Sequence, residues 1–277
     1  MRYKLVADSS ANVFAMDGVA YANVPMKIIT AKSEFVDTPD LNLEAMVDEI
    51  KVTKGKSGTS CPNMQDWLDA FDGADGVFAV TITSNLSGSY ASCVQAAPDY
   101  QEEHPGAKVC VIDSLSAGPE LGLLLEKLKS WIQEGREFDQ MAADIMDYLK
   151  HTHLSFSLES LTNLARNGRV SPAVAKIAGV LGIRVVGVAS DVGTLEPLHK
   201  VRGEKKALES LFGDMLDRGY KGGLVRIANC FNEEAAKALE TMIRSRFPHA
   251  TVQHENCSAL CSFYAERGGL LVGYEDI

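Results

Sequence analysis

The sequence is poor in aromatic residues and positive charge, and it lacks a long uninterrupted hydrophobic run. Of 277 residues, 7% are aromatic, and 27 lysines and arginines stand against 37 acidic residues, for a formal net charge of -10. Lysine and arginine are not concentrated into a basic face, so a nucleic-acid partner is not expected. The longest apolar region, 173–189, is interrupted by Lys176 and Arg184. It predicts a buried helix followed by a strand, not a membrane span.

Several chemical signatures are also missing. The six cysteines are scattered without a C-x-x-C pair, and the first residues lack the apolar stretch of a secretory signal. We therefore expect reduced cysteines, no metal site and a cytoplasmic protein. The sequence has neither the Gly-x-Ser-x-Gly motif of a serine nucleophile nor the His-Glu-x-x-His motif of a zinc site. Residues 55–57, Gly-Lys-Ser, resemble the end of a P-loop but lack its upstream glycine. A Ser-His-Asp enzyme stays compatible with the sequence, because such triads assemble in space, but no motif supports one.

Small polar residues, in contrast, recur directly after predicted strands. They occupy 8–10, 84–89 and 113–118, and the second of these turns leads into a predicted helix. In open α/β sheets the ligand crevice lies beyond the carboxyl ends of the strands, so we expect the three turns to converge there. Free N–H groups at a helix N-terminus favour a negative group. The turns therefore predict an anion site.

Asp8 and Asp113 open the first and third of these turns. They could form a carboxylate pair for acid–base chemistry or for magnesium. Alternatively, each caps its own turn through bonds from side chain to backbone, which is the usual role of aspartate in such turns and the interpretation we favour. Hydroxyls and backbone donors without an evident base or metal suit binding better than catalysis.

The order of elements predicts a two-domain α/β protein. Strands and helices alternate over 1–153, which predicts a mainly parallel α/β/α sandwich, whereas 154–277 predicts an α+β domain with a mixed or antiparallel sheet. In the first domain we expect a strand at 24–29, helices at 43–51, 120–133 and 138–149, and a loop at 54–62. In the second we expect helices at 158–167, 171–181, 203–217 and 232–246, and strands at 183–188, 194–199, 223–229, 250–255 and 259–274.

Five motifs, in their order along the chain, resemble those of the DegV family. They are Asp8-Ser9-Ser10, Thr59-Ser60-x-Pro62, Ser84-x-Leu86-Ser87-Gly88-Ser89-Tyr90, Val111-Ile112-Asp113-Ser114 and Leu161-x-x-Leu164-x-x-Asn167-Gly168-Arg169-Val170-Ser171. The resemblance covers nearly the whole chain. It implies two α/β domains with a long-chain fatty acid in a tunnel between them, as in the fatty-acid-binding subunits of bacterial fatty acid kinase.

The same resemblance implies which residues hold the fatty acid. Thr59 and Ser87 would bind the carboxylate, with Ser60 and the N–H groups near Gly88 as additional donors. Arg169 matches the arginine of the family's Gly-Gly-Arg motif and would lie near the head group or contact the kinase. A buried carboxylate requires several such donors to offset its desolvation.

The chain departs from the family near its end. Where the family commonly carries His-x-Gly-Pro-Gly, this sequence has Tyr264-Ala265-Glu266-Arg267-Gly268. A tyrosine can donate a hydrogen bond at the carboxylate but carries no positive charge. The acyl chain would lie against apolar residues at helical spacing, a pattern that a plain hydrophobic core also produces. These residues are Phe156, Leu158, Leu161, Leu164, Val174, Ile177, Ala178 and Leu181.

The favoured function is thus a non-catalytic carrier, with bound fatty acid as ligand and no cofactor, that presents the carboxylate to a separate kinase. Peripheral, transient contact with a membrane is compatible with this role. The alternatives are a hydrolase or a magnesium-dependent phosphotransferase that uses the serine-rich turns, and an interaction protein whose lipid is structural.

Overall fold

The computed structural model describes residues 1–52, 55–171 and 182–277. The strands in this part of the chain are β1 (Tyr3–Asp8), β2 (Ala20–Val24), β3 (Lys27–Ile29), β4 (Glu34–Val36), β5 (Gly58–Ser60), β6 (Gly76–Thr81), β7 (Lys108–Asp113), β8 (Thr152–Leu158), β9 (Ile183–Ala189), β10 (Leu195–Arg202), β11 (Val225–Asn229), β12 (Val252–Asn256) and β13 (Leu270–Glu275). The helices are α1 (Leu43–Val52), α2 (Met64–Phe71), α3 (Ser89–Glu103), α4 (Pro119–Gln133), α5 (Phe138–Tyr148), α6 (Thr162–Arg166), α7 (Glu204–Asp217), α8 (Glu233–Arg246) and α9 (Ala259–Ala265).

The first sheet is parallel throughout, with the order β2-β1-β6-β7. Alternate residues of its strands enter different cores because side chains point to opposite faces of a strand. Leu5 and Phe78 pack with α4 and α5, whereas Val6 and Val77 pack with α2 and α3. The predicted α/β/α sandwich is therefore confirmed.

The second sheet has the order β10-β9-β8-β13-β11-β12 and is mixed, as predicted. Its neighbours pair antiparallel except for β11 and β12, which run parallel. Helices α7 and α8 pack on one face around Leu211 and Leu239. Helix α4 belongs to the first half of the chain but packs against β13, β11 and β8 as well. It joins the two large sheets.

A third, small sheet was not predicted. β3 pairs antiparallel with β4 and with β5, so that Ile28 lies between Phe35 and Thr59. The predicted strand at 24–29 is wrong at its middle, because Pro25 has no N–H for a ladder and separates β2 from β3. The predicted loop at 54–62 is wrong at Gly58–Ser60, which forms β5 once β3 supplies hydrogen-bond partners. Three-residue strands leave too little pattern to detect.

Two further predictions are wrong in the second half of the chain. The predicted strand 259–274 begins as helix α9, whose first N–H groups are satisfied by a distant carboxylate described below. The predicted helix 158–167 starts only at Thr162, because Leu158 still belongs to β8. The predicted helix 171–181 lies largely outside the described residues, and the domain boundary at 153 stays a prediction. Across the described ranges, no helix is long and apolar enough to cross a membrane.

Candidate functional site

The three polar turns do converge, because β1, β6 and β7 are neighbours in the parallel sheet. Asp8, which is fully buried at the end of β1, ties the first turn to the second. Its carboxylate accepts hydrogen bonds from the Ile82 N–H (3.0 Å) and from Ser89 Oγ (2.6 Å), and also from Ser10. Burial raises the pKa of Asp8 above the ordinary carboxyl value. The carboxylate holds the start of α3 against β1.

Asp113 has the corresponding role at the end of β7. Its Oδ1 accepts the N–H groups of Ser84 and Leu115, both at 3.1 Å. The capping interpretation is thus confirmed for both aspartates, since each binds the backbone of the turns. In the part of the chain that the structure describes, acidic, cysteine and histidine side chains form no group of three or more that could hold a metal ion.

A largely apolar cavity lies beside the second turn, between the two large sheets. Residues from both halves of the chain line it, and the polar ones among the described lining residues are few: Ser10, Thr59, Ser87, Arg169, Cys261 and Tyr264. The apolar lining residues are Met26, Ile82, Leu86, Ala117, Leu154, Phe156, Leu158, Leu164, Leu195, Leu260, Ala265 and Leu271. Concave, mostly apolar cavities with a few polar groups are typical of small-molecule sites.

Three of the hydroxyl-bearing residues that line this cavity are those that the sequence predicted near the head group. Thr59 on β5 and Tyr264 on α9 are hydrogen-bonded, with 2.8 Å between Thr59 Oγ1 and Tyr264 Oη. Ser87 lies in the second turn, where its Oγ accepts the Ser89 N–H at 3.3 Å. Hydroxyl hydrogens rotate, so Ser87 and whichever of Thr59 and Tyr264 accepts their mutual bond can turn an O–H bond toward a ligand, and the other can do so by exchanging that bond. A tyrosine 205 residues away in sequence is thereby paired with the threonine.

Arg169 is the only charged residue among the described residues that line the cavity. Its Nε donates to the Leu86 carbonyl at 3.0 Å, and a terminal nitrogen donates to the Asn167 carbonyl. The guanidinium is therefore fixed against the second turn. The guanidinium places a positive charge at this part of the cavity.

The other predicted site residues are placed differently. Ser60 and Gly88 lie next to the cavity without lining it; Ser60 Oγ donates to the Cys61 carbonyl, and Gly88 precedes α3. Leu161 is buried in the core behind the cavity, whereas Phe156, Leu158 and Leu164 line it. Val174, Ile177, Ala178 and Leu181 lie outside the described residues.

The sequence reasoning missed Leu154, although a signal for it was present. Residues 154–158 read Leu-Ser-Phe-Ser-Leu, which alternates with the period of a strand. On β8 this alternation points Leu154, Phe156 and Leu158 into the cavity. Leu260, Cys261 and Ala265 on α9 were missed because that segment was interpreted as a strand, whereas Tyr264 on the same helix was named from the family resemblance.

The profile of the DegV family, described as "Uncharacterised protein, DegV family", matches residues 2–275. The chain belongs to the DegV family. Among relatives of this family, a DegV domain-containing protein of Streptococcus pneumoniae is 42% identical over 279 residues, which cover 99% of both chains. One of Streptococcus gordonii is 40% identical over the same length, with the same coverage.

Solved DegV structures share the fold. A DegV family protein from Eubacterium eligens, loaded with heptadecanoic acid, superimposes with a TM-score of 0.97 at 44% identity, covering 99% of this chain and 100% of that one. The Fatty Acid Kinase (Fak) B3 protein of Streptococcus pneumoniae, loaded with linoleic acid, gives 0.98 at 41% identity and covers both chains fully.

Proposed function

We propose that this DegV protein binds a long-chain fatty acid, with the acyl chain in the apolar cavity and the carboxylate at its polar end. The observation that carries the proposal is the cavity itself, whose wall is mostly apolar and whose few polar lining residues include Thr59, Ser87, Tyr264 and Arg169. The fatty acids in the two similar structures support the same ligand class.

The polar end suits an anion with several acceptor lone pairs. A carboxylate taken out of water loses hydration that must be replaced by donors. The hydroxyls of Thr59, Ser87 and Tyr264 are such donors, and their bonds to an ionised group are stronger than bonds between neutral groups. Arg169 adds a positive charge, whereas Tyr264, at the place of the histidine that the family commonly carries, adds only a hydroxyl. Ser60 and the N–H of Gly88 are adjacent further donors.

The apolar wall supplies the larger share of the binding free energy. Each buried methylene contributes about 0.8 kcal/mol, so twelve of them give on the order of 10 kcal/mol before the entropy cost of association. Phe156, Leu158 and Leu164 are the predicted acyl contacts that line the cavity. A ligand of this kind owes its affinity to the chain and its orientation to the head group.

The protein acts, in this proposal, as a carrier in the cytoplasm that presents the carboxylate to a separate ATP-dependent kinase for acyl-phosphate formation. Asp8 and Asp113, the two carboxylates that a phosphotransferase could have used, are both bound to backbone N–H groups. That arrangement favours holding the ligand over transforming it.

The test begins with the lipid that copurifies. We expect native mass spectrometry and gas chromatography of an organic extract to find a long-chain fatty acid. A Thr59→Ala, Ser87→Ala double variant should bind palmitate on the order of 100-fold more weakly, since two charge-assisted bonds are lost. The matched control is Thr241→Ala, Ser245→Ala, which removes two hydroxyls bonded within α8.

Lipid-free protein that does not take up palmitate would refute the proposal. The carrier role has its own assay: with ATP, magnesium and palmitate, this protein alone should form no acyl phosphate, and addition of a fatty acid kinase should start its formation. Product formed by this protein alone would support the phosphotransferase instead.

A further inference from the structure

A buried carboxylate outside the cavity has no part in the proposed binding chemistry. Asp37 follows β4, is 1% exposed and is fixed by its own N–H, which donates to the Met26 carbonyl at 2.9 Å. Its two oxygens accept the N–H groups of Ala259 (2.8 Å) and Leu260 (3.0 Å). Burying a carboxylate is costly unless such partners compensate. Asp37 therefore anchors the first turn of α9.

Helix α9 is the element that carries Tyr264 to the polar end of the cavity. Leu260, Tyr264 and Ala265 of this helix all line the cavity. The helix has only seven residues, so it has few hydrogen bonds of its own to fix its position. The aspartate satisfies two N–H groups that the helix itself cannot satisfy, and its charge is favourable at this end of the helix dipole.

The small sheet of β3, β4 and β5 is hydrogen-bonded to α9 at two points. Asp37 leaves the sheet at the end of β4 and holds the first turn, while Thr59 on β5 bonds Tyr264 one turn later. Between these points, Ile28 of β3 packs in one cluster with Ala259 and Phe263. Two anchors on one sheet fix both where the helix begins and how it is rotated about its axis. The Tyr264 hydroxyl depends on both quantities.

We propose that Asp37 is a positioning residue of the head-group site: it sets the position of α9 so that Tyr264 and Thr59 present their hydroxyls to one carboxylate. This inference rests on the proposed function. Asp37 does not touch the ligand and acts through the backbone of the helix. Loss of the anchor shifts Tyr264 away from Thr59, while the apolar wall that β8 supplies remains.

The experiment measures selectivity for the head group. Palmitate and hexadecanol have chains of equal length and differ in the carboxylate, so the ratio of their dissociation constants isolates the polar end. Asp37→Ala should weaken palmitate binding about tenfold, the loss of roughly one charge-assisted bond, and leave hexadecanol within about twofold. Asp37→Asn keeps one acceptor oxygen and should lie between the wild type and Asp37→Ala. If Asp37→Ala does not fold, the same comparison is made with Asp37→Asn.

A double-mutant cycle tests the route through Tyr264. Tyr264→Phe removes the hydroxyl, and Asp37 acts on that hydroxyl. The double variant should then bind palmitate within about twofold of Tyr264→Phe alone, because coupled residues are not additive. Glu275→Gln is the matched control, since Glu275 also accepts a backbone N–H, from Leu224, far from the cavity. It should leave the selectivity ratio unchanged.

Two results would overturn the inference. One is equal weakening of palmitate and hexadecanol by Asp37→Ala, which indicates a general loss of structure. The other is full additivity with Tyr264→Phe. A wild-type protein that does not prefer palmitate to hexadecanol would instead count against the proposed function, so the two failures are distinct.

Discussion

Glu120 should make the stability of this protein depend on pH. It is the second residue of α4 and is 4% exposed. Its Oε1 accepts the hydroxyl of Thr152 at 2.8 Å, and its other oxygen accepts the hydroxyl of Ser116. Burial raises the pKa of Glu120 to about 7 from 4.5, although the two hydroxyl donors act in the opposite direction. Between pH 4.5 and about 7, the folded protein therefore keeps a proton on Glu120 that the unfolded chain has lost.

The size and the sign of the effect follow from this pKa difference. A shift of one pKa unit corresponds to about 1.4 kcal/mol, so the shift of Glu120 amounts to roughly 3 kcal/mol. The contribution of Glu120 is most favourable below pH 4.5, where the carboxyl is protonated in both states. It falls as the pH rises from 4.5 to 7, because the folded state binds more protons there, and it stays low above pH 7.

Glu120→Gln should remove this dependence, because an amide stays neutral and the two hydroxyls can rotate to suit it. Urea unfolding from pH 5 to 8 gives the free energy of unfolding of both proteins. The variant should gain about 2.5 kcal/mol relative to the wild type between these limits, because part of the change occurs below pH 5. The pH dependence of the variant is compared with that of the wild type because burial also raises the pKa values of Asp8, Asp37 and Glu255, which both proteins contain. A difference that is constant with pH would refute the reasoning. The control Glu126→Gln removes a carboxylate bonded to Lys129 on the same helix.

Three other substitutions test the parts around the cavity. Ser89→Ala removes the short bond to the buried Asp8 carboxylate and should lower the free energy of unfolding by about 1–3 kcal/mol, measured in urea. Gly193→Ala should lower the melting temperature, because φ is +78° and the new Cβ would lie 2.2 Å from Thr83 Oγ1; an unchanged melting temperature would contradict this contact. Leu154→Ala should raise the affinity for a C20 fatty acid relative to palmitate, since Leu154 also borders a second cavity; an unchanged ratio in competition binding would contradict it.

The sequence was informative where local chemistry and topology agreed. Small polar residues at 8–10, 84–89 and 113–118 each follow a strand, and parallel strands place such turns at one edge of a sheet. Convergence of the turns could therefore be predicted without knowing any long-range contact. The capping roles of Asp8 and Asp113 followed from the same local chemistry.

The sequence was least informative where structure depends on partners far along the chain. Residues 58–60 are a strand only because β3 lies beside them, and three residues show no period. Residues 259–265 are apolar apart from Ser262, without a polar face, which suits a buried strand as well as a buried helix. What decides for the helix is the carboxylate of Asp37, 222 residues from Ala259. No window of sequence contains that bond.

Acidic and hydroxyl side chains have different roles around the cavity, and this difference explains why the fold can hold an anion. Asp8, Asp37 and Asp113 lie close to the cavity walls, where a free carboxylate would repel a fatty acid head group. Each instead accepts backbone N–H groups, from Ile82, from Ala259 and Leu260, and from Ser84 and Leu115. The acids thus fix the elements that line the cavity, while hydroxyl groups and the Arg169 guanidinium line it. We therefore expect substitution of any of these aspartates by alanine to disturb the site by moving the elements that line it, without removing a direct contact to the ligand.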